Sequence, residues 1–415
     1  MTTYTTVTAW TQKEGERRVT DLFIDTYHYH PQGVWQAPGR VNLIGEHVDY
    51  NGGKCVPIAL PHRTYAAVAT HDDNDRLLRL VSRQADGVTE IDLNKVGPYD
   101  SPQKVDGWGA YVAGVLWALE QKGYGPFPGY DIAIDSCVPF GAGLSSSAAL
   151  ECAIAVAVDD LAELGLGGSV DDPDDEGRKI LVEACMSAEN DIAGANTGGL
   201  DQSSSLRCRE GKAIMLDCQD GSVRPVEFDL GAKNLTLLVI DTKAPHSLND
   251  GQYASRRNAC EQAASIIGVE LLADVSDTEA ALAQLNDKEQ YKRVRHVLSE
   301  IERTDKAISV LDSGDLSGQR LEAIAALFNG SHDSLRDDYE VTCPELDTAV
   351  DVARQAGAHG ARMTGGGFGG SAIAIIDNDK VDATMKAIVD SYQERGFNEP
   401  EFLLVTPAAP AGRVN

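Results

Sequence analysis

Apolar residues follow two periods along this chain. Partial alternation of apolar and polar positions predicts strands over Tyr65–Thr70, Leu77–Ser82 and Tyr130–Asp135, because successive side chains of a strand face opposite sides. Runs with a helical period predict helices over Tyr111–Gln121, Ser146–Leu164, Gly177–Asn190, Tyr253–Ile267 and Lys288–Thr304. Two more strand patterns, Leu235–Ile240 and Ser371–Ile376, lie in the second half. Helices and strands mix without a strict strand-helix-strand rhythm, which favours an α+β fold over a doubly wound sheet. A Gly/Ser/polar stretch at Asp220–Lys233 is the expected seam, giving two domains, residues 1–225 and 226–415. No repeat with a period of roughly 20 to 50 residues is visible.

Charge narrows the function classes. The 415 residues carry 36 Lys and Arg against 64 Asp and Glu, a formal charge of −28. A broad grip on nucleic acid needs a basic footprint, so no nucleic-acid partner is expected. Anionic membrane surfaces are disfavoured by the same field. The first twenty residues are polar and no run approaches about 18 apolar residues, so the expectation is a soluble cytoplasmic protein. Eight cysteines are scattered singly without a Cys-x-x-Cys pair. Buried thiols are therefore expected, with neither a disulfide framework nor structural zinc. The acidic run Asp171–Glu176 reads as a solvated lead-in to a helix.

Three glycine-rich clusters carry the candidate chemistry. Pro139–Ala149 reads PFGAGLSSSAA between a strand pattern and an apolar helical run. Strand, glycine loop and helix start form a phosphate-binding arrangement, since the first amides of a helix are unpaired and carry about half a positive charge. Gly141 and Gly143 allow close backbone approach, and Ser145, Ser146 and Ser147 add hydroxyls. A Walker loop is absent, because Gly53-Lys54 is followed by Cys55 and Gly211-Lys212 by Ala213. The protein-kinase set of HRD and DFG is missing as well. Met363–Gly370, MTGGGFGG, formally contains G-x-G-x-x-G, but a strand pattern follows where a dinucleotide fingerprint needs a helix. A loop that closes over phosphate or packs under the first loop fits better. The remaining cluster, GRVNLIGEHVDYNGG at Gly39–Gly53, sets Arg40, Glu46, His47 and Asp49 on an apolar frame of Val41, Leu43 and Ile44. Oriented acidic and imidazole groups suit a polyhydroxylated ligand.

In this order the three segments resemble those of the GHMP kinase superfamily, and GRVNLIGEHVDY resembles the N-terminal signature of galactokinases. The resemblance spans Gly39 to Gly370. It implies a two-domain α+β fold, an N-terminal domain similar to the second domain of ribosomal protein S5 and a ferredoxin-like C-terminal domain, with the active site between them. It also implies phosphorylation of D-galactose by ATP at the anomeric hydroxyl. The segment Ser187–Gln202, SAENDIAGANTGGLDQ, is similar to the part of the family carrying a glutamate and the catalytic aspartate, here Glu189 and Asp201. Ile192 departs from the aromatic residue usual at its position. Carried over, Asp201 and Arg40 are catalytic, and Ser147 and Glu189 hold Mg²⁺. Gly141, Ala142, Gly143, Leu144, Ser145, Ser146 and Ser147 bind ATP. Glu46, His47, Val48, Asp49, Gly198 and Tyr253 meet the sugar. Trp108 and Ser82 match the adenine pocket only weakly. Small-molecule substrates are implied, and no protein partner. Asp201 could be a base or an electrostatic positioner. Two other readings share the fold: a sugar-sensing coactivator, which would lack part of the intact SSSAA loop, and a kinase for galacturonate, arabinose or N-acetylgalactosamine.

Overall fold

The computed structural model describes residues 4–71, 75–195, 197–245 and 249–414. Its first half is built on a six-stranded sheet with spatial order Gly412–Arg413, Gly33–Asn42, Pro57–Thr70, Tyr130–Ser136, Leu77–Ser82 and Val88–Asp92. The central strands are buried on both faces, and their alternation assigns each residue a side. Trp35, Ala37, Ala66 and Val68 join one apolar cluster, and Val34, Tyr65, Ala67 and Ala69 join another. Helix Gln12–Tyr27 covers the second face through Val19 and Phe23. Helix Ser146–Leu161 covers the first. It is apolar on nearly every side because helices Gly109–Gln121 and Asp175–Ser187 enclose it from outside.

The second half holds a five-stranded sheet ordered Thr5–Thr6, Glu401–Val405, Leu235–Asp241, Ser371–Asp377 and Gly360–Thr364. Without the short first strand, the remaining four run antiparallel in the chain order fourth, first, third, second, which is the ferredoxin-like order. Helices Asn249–Ile267, Lys288–Leu311, Gln319–Ser334 and Pro344–Gln355 are inserted between its first and second strands. A small third sheet pairs Lys54–Cys55, Lys212–Asp217 and Val223–Glu227.

Each strand and helix expected from the pattern is present, most of them longer than the pattern indicated. One differs in kind: the α-helix expected to reach Asn190 ends at Ser187 and continues as a π turn, Ala188–Ile192. Position 225/226 lies inside the strand Val223–Glu227, so the polar composition there is that of an exposed hairpin. Both chain ends cross to the opposite half. Thr5–Thr6 pairs with Glu401–Val405, and Gly412–Arg413 pairs with Trp35 and Gln36. Among the described residues no helix is long and apolar enough to cross a membrane, and all eight cysteines are free thiols, five of them buried.

The crossing of the C-terminal segment has an energetic consequence. Buried Arg178 donates to the carbonyl of Ala411 at 3.0 Å, and buried Arg63 donates to those of Ala409 and Pro410 at 2.5 and 3.2 Å. Ending the chain at Val405 strips these acceptors from two buried cations, at a cost of about 3 to 5 kcal/mol. Differential scanning calorimetry should then show the melting temperature falling by about 3 to 6 °C; a melt indistinguishable from that of the full chain would contradict this account.

Candidate active site

The site begins at a fault in a strand. Register between Gly33–Asn42 and Pro57–Thr70 shifts between Pro38 and Arg40, where proline supplies no amide to the ladder and a bulge can re-aim the following side chain. The Arg40 amide then donates to the Leu144 carbonyl at 3.1 Å, so the glycine loop docks on the strand. Its guanidinium donates to the Gly143 carbonyl at 2.6 Å and meets Asp201 Oδ1 at 2.7 Å. Asp201 lies in the first turn of helix Leu200–Arg207, where a carboxylate is favoured by the helix dipole. Segments far apart in sequence thus meet at one side chain that is 5% exposed.

The loop Pro139–Ser145 leads into helix Ser146–Leu161 through Ser145, which adopts a left-handed conformation with φ 61°. Ser145 Oγ is buried without a protein partner, as is Arg40 Nε, and both residues line the cavity. The third glycine cluster packs beneath this loop. Ser371 Oγ donates to the Ala142 carbonyl at 2.7 Å, and a Cβ at Gly365, whose φ is +83°, would lie 2.9 Å from the Gly143 carbonyl. Only glycine permits that approach.

Glu189, on the π turn, is 4% exposed and accepts from Ser147 Oγ at 2.9 Å, Thr197 Oγ1 at 2.9 Å and Gln202 Nε2 at 2.6 Å. Burial, then the charge of Asp201, raises its carboxyl above the ordinary carboxylate range. A carboxylate whose acidity is weakened by a neighbouring anion fits a place that a cation would occupy. Ser147 Oγ and Glu189 Oε1 are hard oxygen donors on the cavity wall, suited to Mg²⁺, which takes few protein ligands and completes its shell with phosphate and water. Among the described residues no group of three or more His, Cys, Asp or Glu could hold a metal alone, consistent with a cation that arrives with a phosphorylated substrate.

A cavity of about 350 Å³ joins these groups to Glu46, His47, Asp49, Gly198 and Tyr253. Asp49 is pushed up to about 6, by burial first and then by Asp201. A Cβ on Gly198 would fall 2.0 Å from Asp49 Oδ2, so a side chain here would have to displace the Asp49 carboxylate. Glu46 is more constrained than its place in the motif suggests. Its carboxylate accepts from Asn42 Nδ2 at 2.7 Å and the Gly365 amide at 2.8 Å, and pairs with Arg362 at 2.8 Å. Arg362 is fully buried. Glu46 therefore clamps the first glycine cluster to the third as well as facing the cavity.

Two residues expected at the site stand elsewhere. Val48 is fully buried in the apolar cluster of the second half, and its carbonyl is taken by the amides of Asn51 and Gly53. The side chain of Ala142 is likewise buried in a core, with its carbonyl bound to Ser371. Motif membership assigned both, while strand and turn geometry point them inward. Conversely, Thr197 lines the cavity without having been singled out, and Gly365 and Gly366 of the third glycine cluster line it without having been assigned an individual role. Thr197 lies within the Ser187–Gln202 segment, of which Asn196 is outside the described residues, and its place between Glu189 and Asp201 was the only signal in the sequence. A second cavity, of about 280 Å³, shares Ser146 and Ser147 with the first and is lined by Ser82, Trp108, Tyr111 and Phe140.

Comparison with known proteins follows the same line. Residues 21–70 match the galactokinase galactose-binding signature, 110–209 the GHMP kinase N-terminal domain and 307–393 the GHMP kinase C-terminal domain. The chain is 45% identical to the galactokinase of Streptomyces coelicolor over 95% of its own length and 98% of that protein's. It is 40% identical to that of Mycobacterium tuberculosis, covering 88% and 94%. The crystal structure of Lactococcus lactis galactokinase complexed with galactose superposes with a TM-score of 0.86 at 33% identity, covering 96% of this chain and 99% of that one. Methanococcus jannaschii mevalonate kinase, 15% identical with a TM-score of 0.60 and coverage of 90% and 98%, shares the fold.

The carboxylate crowding should be visible in stability. Because the folded-state value of Asp49 lies near 6, above its unfolded value of 3.8, its contribution is favourable below about pH 4 and is lost as pH rises through about 6. Asp49→Asn should therefore melt at a higher temperature than wild type at neutral pH, with the increment growing from about pH 4 to about pH 6. An increment that shrinks over this window in thermal melts would refute the assignment.

Proposed function

The chain belongs to the galactokinase family of the GHMP kinase superfamily, and on that premise we propose that it transfers the γ-phosphoryl group of ATP to the anomeric hydroxyl of D-galactose, giving α-D-galactose 1-phosphate and ADP. The observation that carries the reading is the Arg40–Asp201 pair at 2.7 Å, on the wall of a cavity shared with the glycine loop and its helix start. Phosphoryl transfer asks the protein chiefly to align a hydroxyl and to stabilise spread charge on phosphate oxygens.

Each part of the cavity suits one of those demands. Asp201 accepts a hydrogen bond from the anomeric hydroxyl and receives or orients its proton. Arg40, fixed by Gly143 and Asp201, presents positive charge toward the transferring group. The amides at the start of helix Ser146–Leu161 and the orphaned Ser145 Oγ receive phosphate oxygens. Ser147 and Glu189 would hold Mg²⁺, which when bound neutralises phosphate charge. Asp49, Glu46, the backbone at Gly198 and Tyr253 surround the sugar. The cavity bounded by Ser82, Trp108 and Tyr111 takes the adenine. Location in the cytoplasm belongs to this reading, supported by the free cysteines and the absence, among the described residues, of a membrane-crossing helix.

A coupled ADP-release assay across galactose, galacturonate, N-acetylgalactosamine, arabinose and glucose tests the proposal. Release should be strongest with galactose, and Asp201→Asn should lower turnover by roughly a hundredfold or more while circular dichroism shows the fold intact. Absence of sugar-dependent release, or near wild-type turnover in the variant, would reject it. Separately, Ser147→Ala should displace the magnesium titration of activity to higher concentration, whereas a superimposable curve would remove Ser147 from the metal site.

A further inference from the structure

Gln202 ends the Ser187–Gln202 segment, directly after Asp201, and the motif resemblance gives it no role. It is fully buried, and its Nε2 donates to Glu189 Oε2 at 2.6 Å and to Glu151 Oε2 at 3.1 Å. Its Oε1 has no protein partner, and neither has Glu151 Oε1. Turning the amide over would set that oxygen against the Glu189 carboxylate, so charge fixes its orientation. The amide therefore spends both hydrogens on two carboxyl groups and gains nothing for its oxygen. An unmet buried oxygen is destabilising, and an apolar side chain of the same length would avoid it. What only the amide supplies here is its pair of donors.

Those donors decide which way Glu189 faces. Among the described residues Oε2 has two donors, Gln202 Nε2 and Thr197 Oγ1, the latter at 2.9 Å, whereas Oε1 has Ser147 Oγ at 2.9 Å. All three donors are neutral, which leaves the charge of the carboxylate to be matched from the cavity. Glu151 lies one turn beyond Ser147 on helix Ser146–Leu161 and is fully buried. Burial, then the charge of Glu189, raises its carboxyl well above the ordinary carboxylate range. Gln202 gives its shorter bond to Glu189 and its longer one to Glu151, as a donor between an anion and a neutral acid would.

We infer that Gln202 is a positioning residue for the Mg²⁺ site: with Thr197 it commits Glu189 Oε2 to the protein, so that the carboxylate turns Oε1, beside Ser147 Oγ, toward the metal as a single-oxygen ligand. Mg²⁺ demands near-octahedral geometry, so the direction of that one oxygen counts. Gln202 and Asp201 share the first turn of helix Leu200–Arg207. One short helix thus places both the carboxylate that meets the sugar hydroxyl and the amide that aims the metal ligand. The identity of the cation and nucleotide rests on the kinase reading; the orientation of Glu189 does not.

Mn²⁺ is a paramagnetic stand-in for Mg²⁺. Its binding to the intact protein with the β,γ-imido analogue of ATP, read by electron paramagnetic resonance, tests the assignment without turnover. Gln202→Met keeps the length of the side chain and removes both donors. It should weaken Mn²⁺ binding about tenfold, while calorimetry shows the affinities for galactose and for the metal-free analogue within about twofold of wild type. Thr197→Val should weaken Mn²⁺ binding in the same direction, and Thr197→Ser, which keeps the hydroxyl, should restore it. This second pair carries the test where Gln202→Met does not fold. Mn²⁺ affinity unchanged in the folded variant overturns the inference, and so does an equal loss of metal-free analogue binding, which would mark a merely structural role. Wild type that binds no Mn²⁺ beside the analogue overturns it as well. If wild type binds both but releases no ADP with any sugar, the kinase reading alone fails and the Mn²⁺ comparison still decides this one.

Discussion

Arg40 is the point on which the site depends. Its backbone belongs to a central strand, its amide holds the glycine loop, and its guanidinium holds both that loop and Asp201. A buried guanidinium is costly unless its charge is matched and its donors are directed. Here Asp201 supplies the opposing charge at 2.7 Å and the Gly143 carbonyl takes a further proton. The arrangement leaves Nε without a protein partner, so the group is stably seated and still has capacity toward a ligand. Gly143 has a φ of 69°, in the left-handed region that glycine favours, as it turns this carbonyl to the guanidinium.

The rest of the cavity is built against electrostatic preference. Asp49, Glu189 and Asp201 crowd one wall, and Asp49 and Glu189 are raised by burial and by Asp201. Such crowding stores unfavourable energy that a magnesium–nucleotide complex and a polyhydroxylated sugar can relieve, the first by charge and the second by donated hydrogen bonds. Stability is recovered away from this wall, in two buried cores on either side of the first sheet and in terminal strands that stitch each half to the other. The Glu46–Arg362 clamp and the terminal strands also oppose separation of the halves, so the cavity between them is held in register.

A net charge of −28 argues against nucleic acid and anionic membranes as partners. That inference holds for extended polyanions, which must lie along a broad surface. A compact triphosphate needs only a local field, and the helix start behind Ser146, the loop amides and Arg40 create one within an acidic exterior. Local geometry can therefore reverse the sign that composition suggests, without altering the repulsion felt at a distance.

The sequence by itself determined the α+β class and ten strands and helices, because apolar spacing reports which face is buried. Arg40 and Asp201 were marked out by the resemblance of their segments to the family's motifs, and helices such as Gln12–Tyr27 and Pro344–Gln355 were not expected. Only tertiary structure decided which motif residues face the cavity. Val48 and Ala142 turn into the core since neighbouring backbone geometry, not motif membership, sets side-chain direction. It alone showed that Glu46 clamps two glycine clusters, since its partner Arg362 lies about 300 residues away. No local pattern encodes such a pairing. The terminal strands escaped notice for the same reason: two residues have no readable period, and their place is fixed entirely by the sheet edge they join.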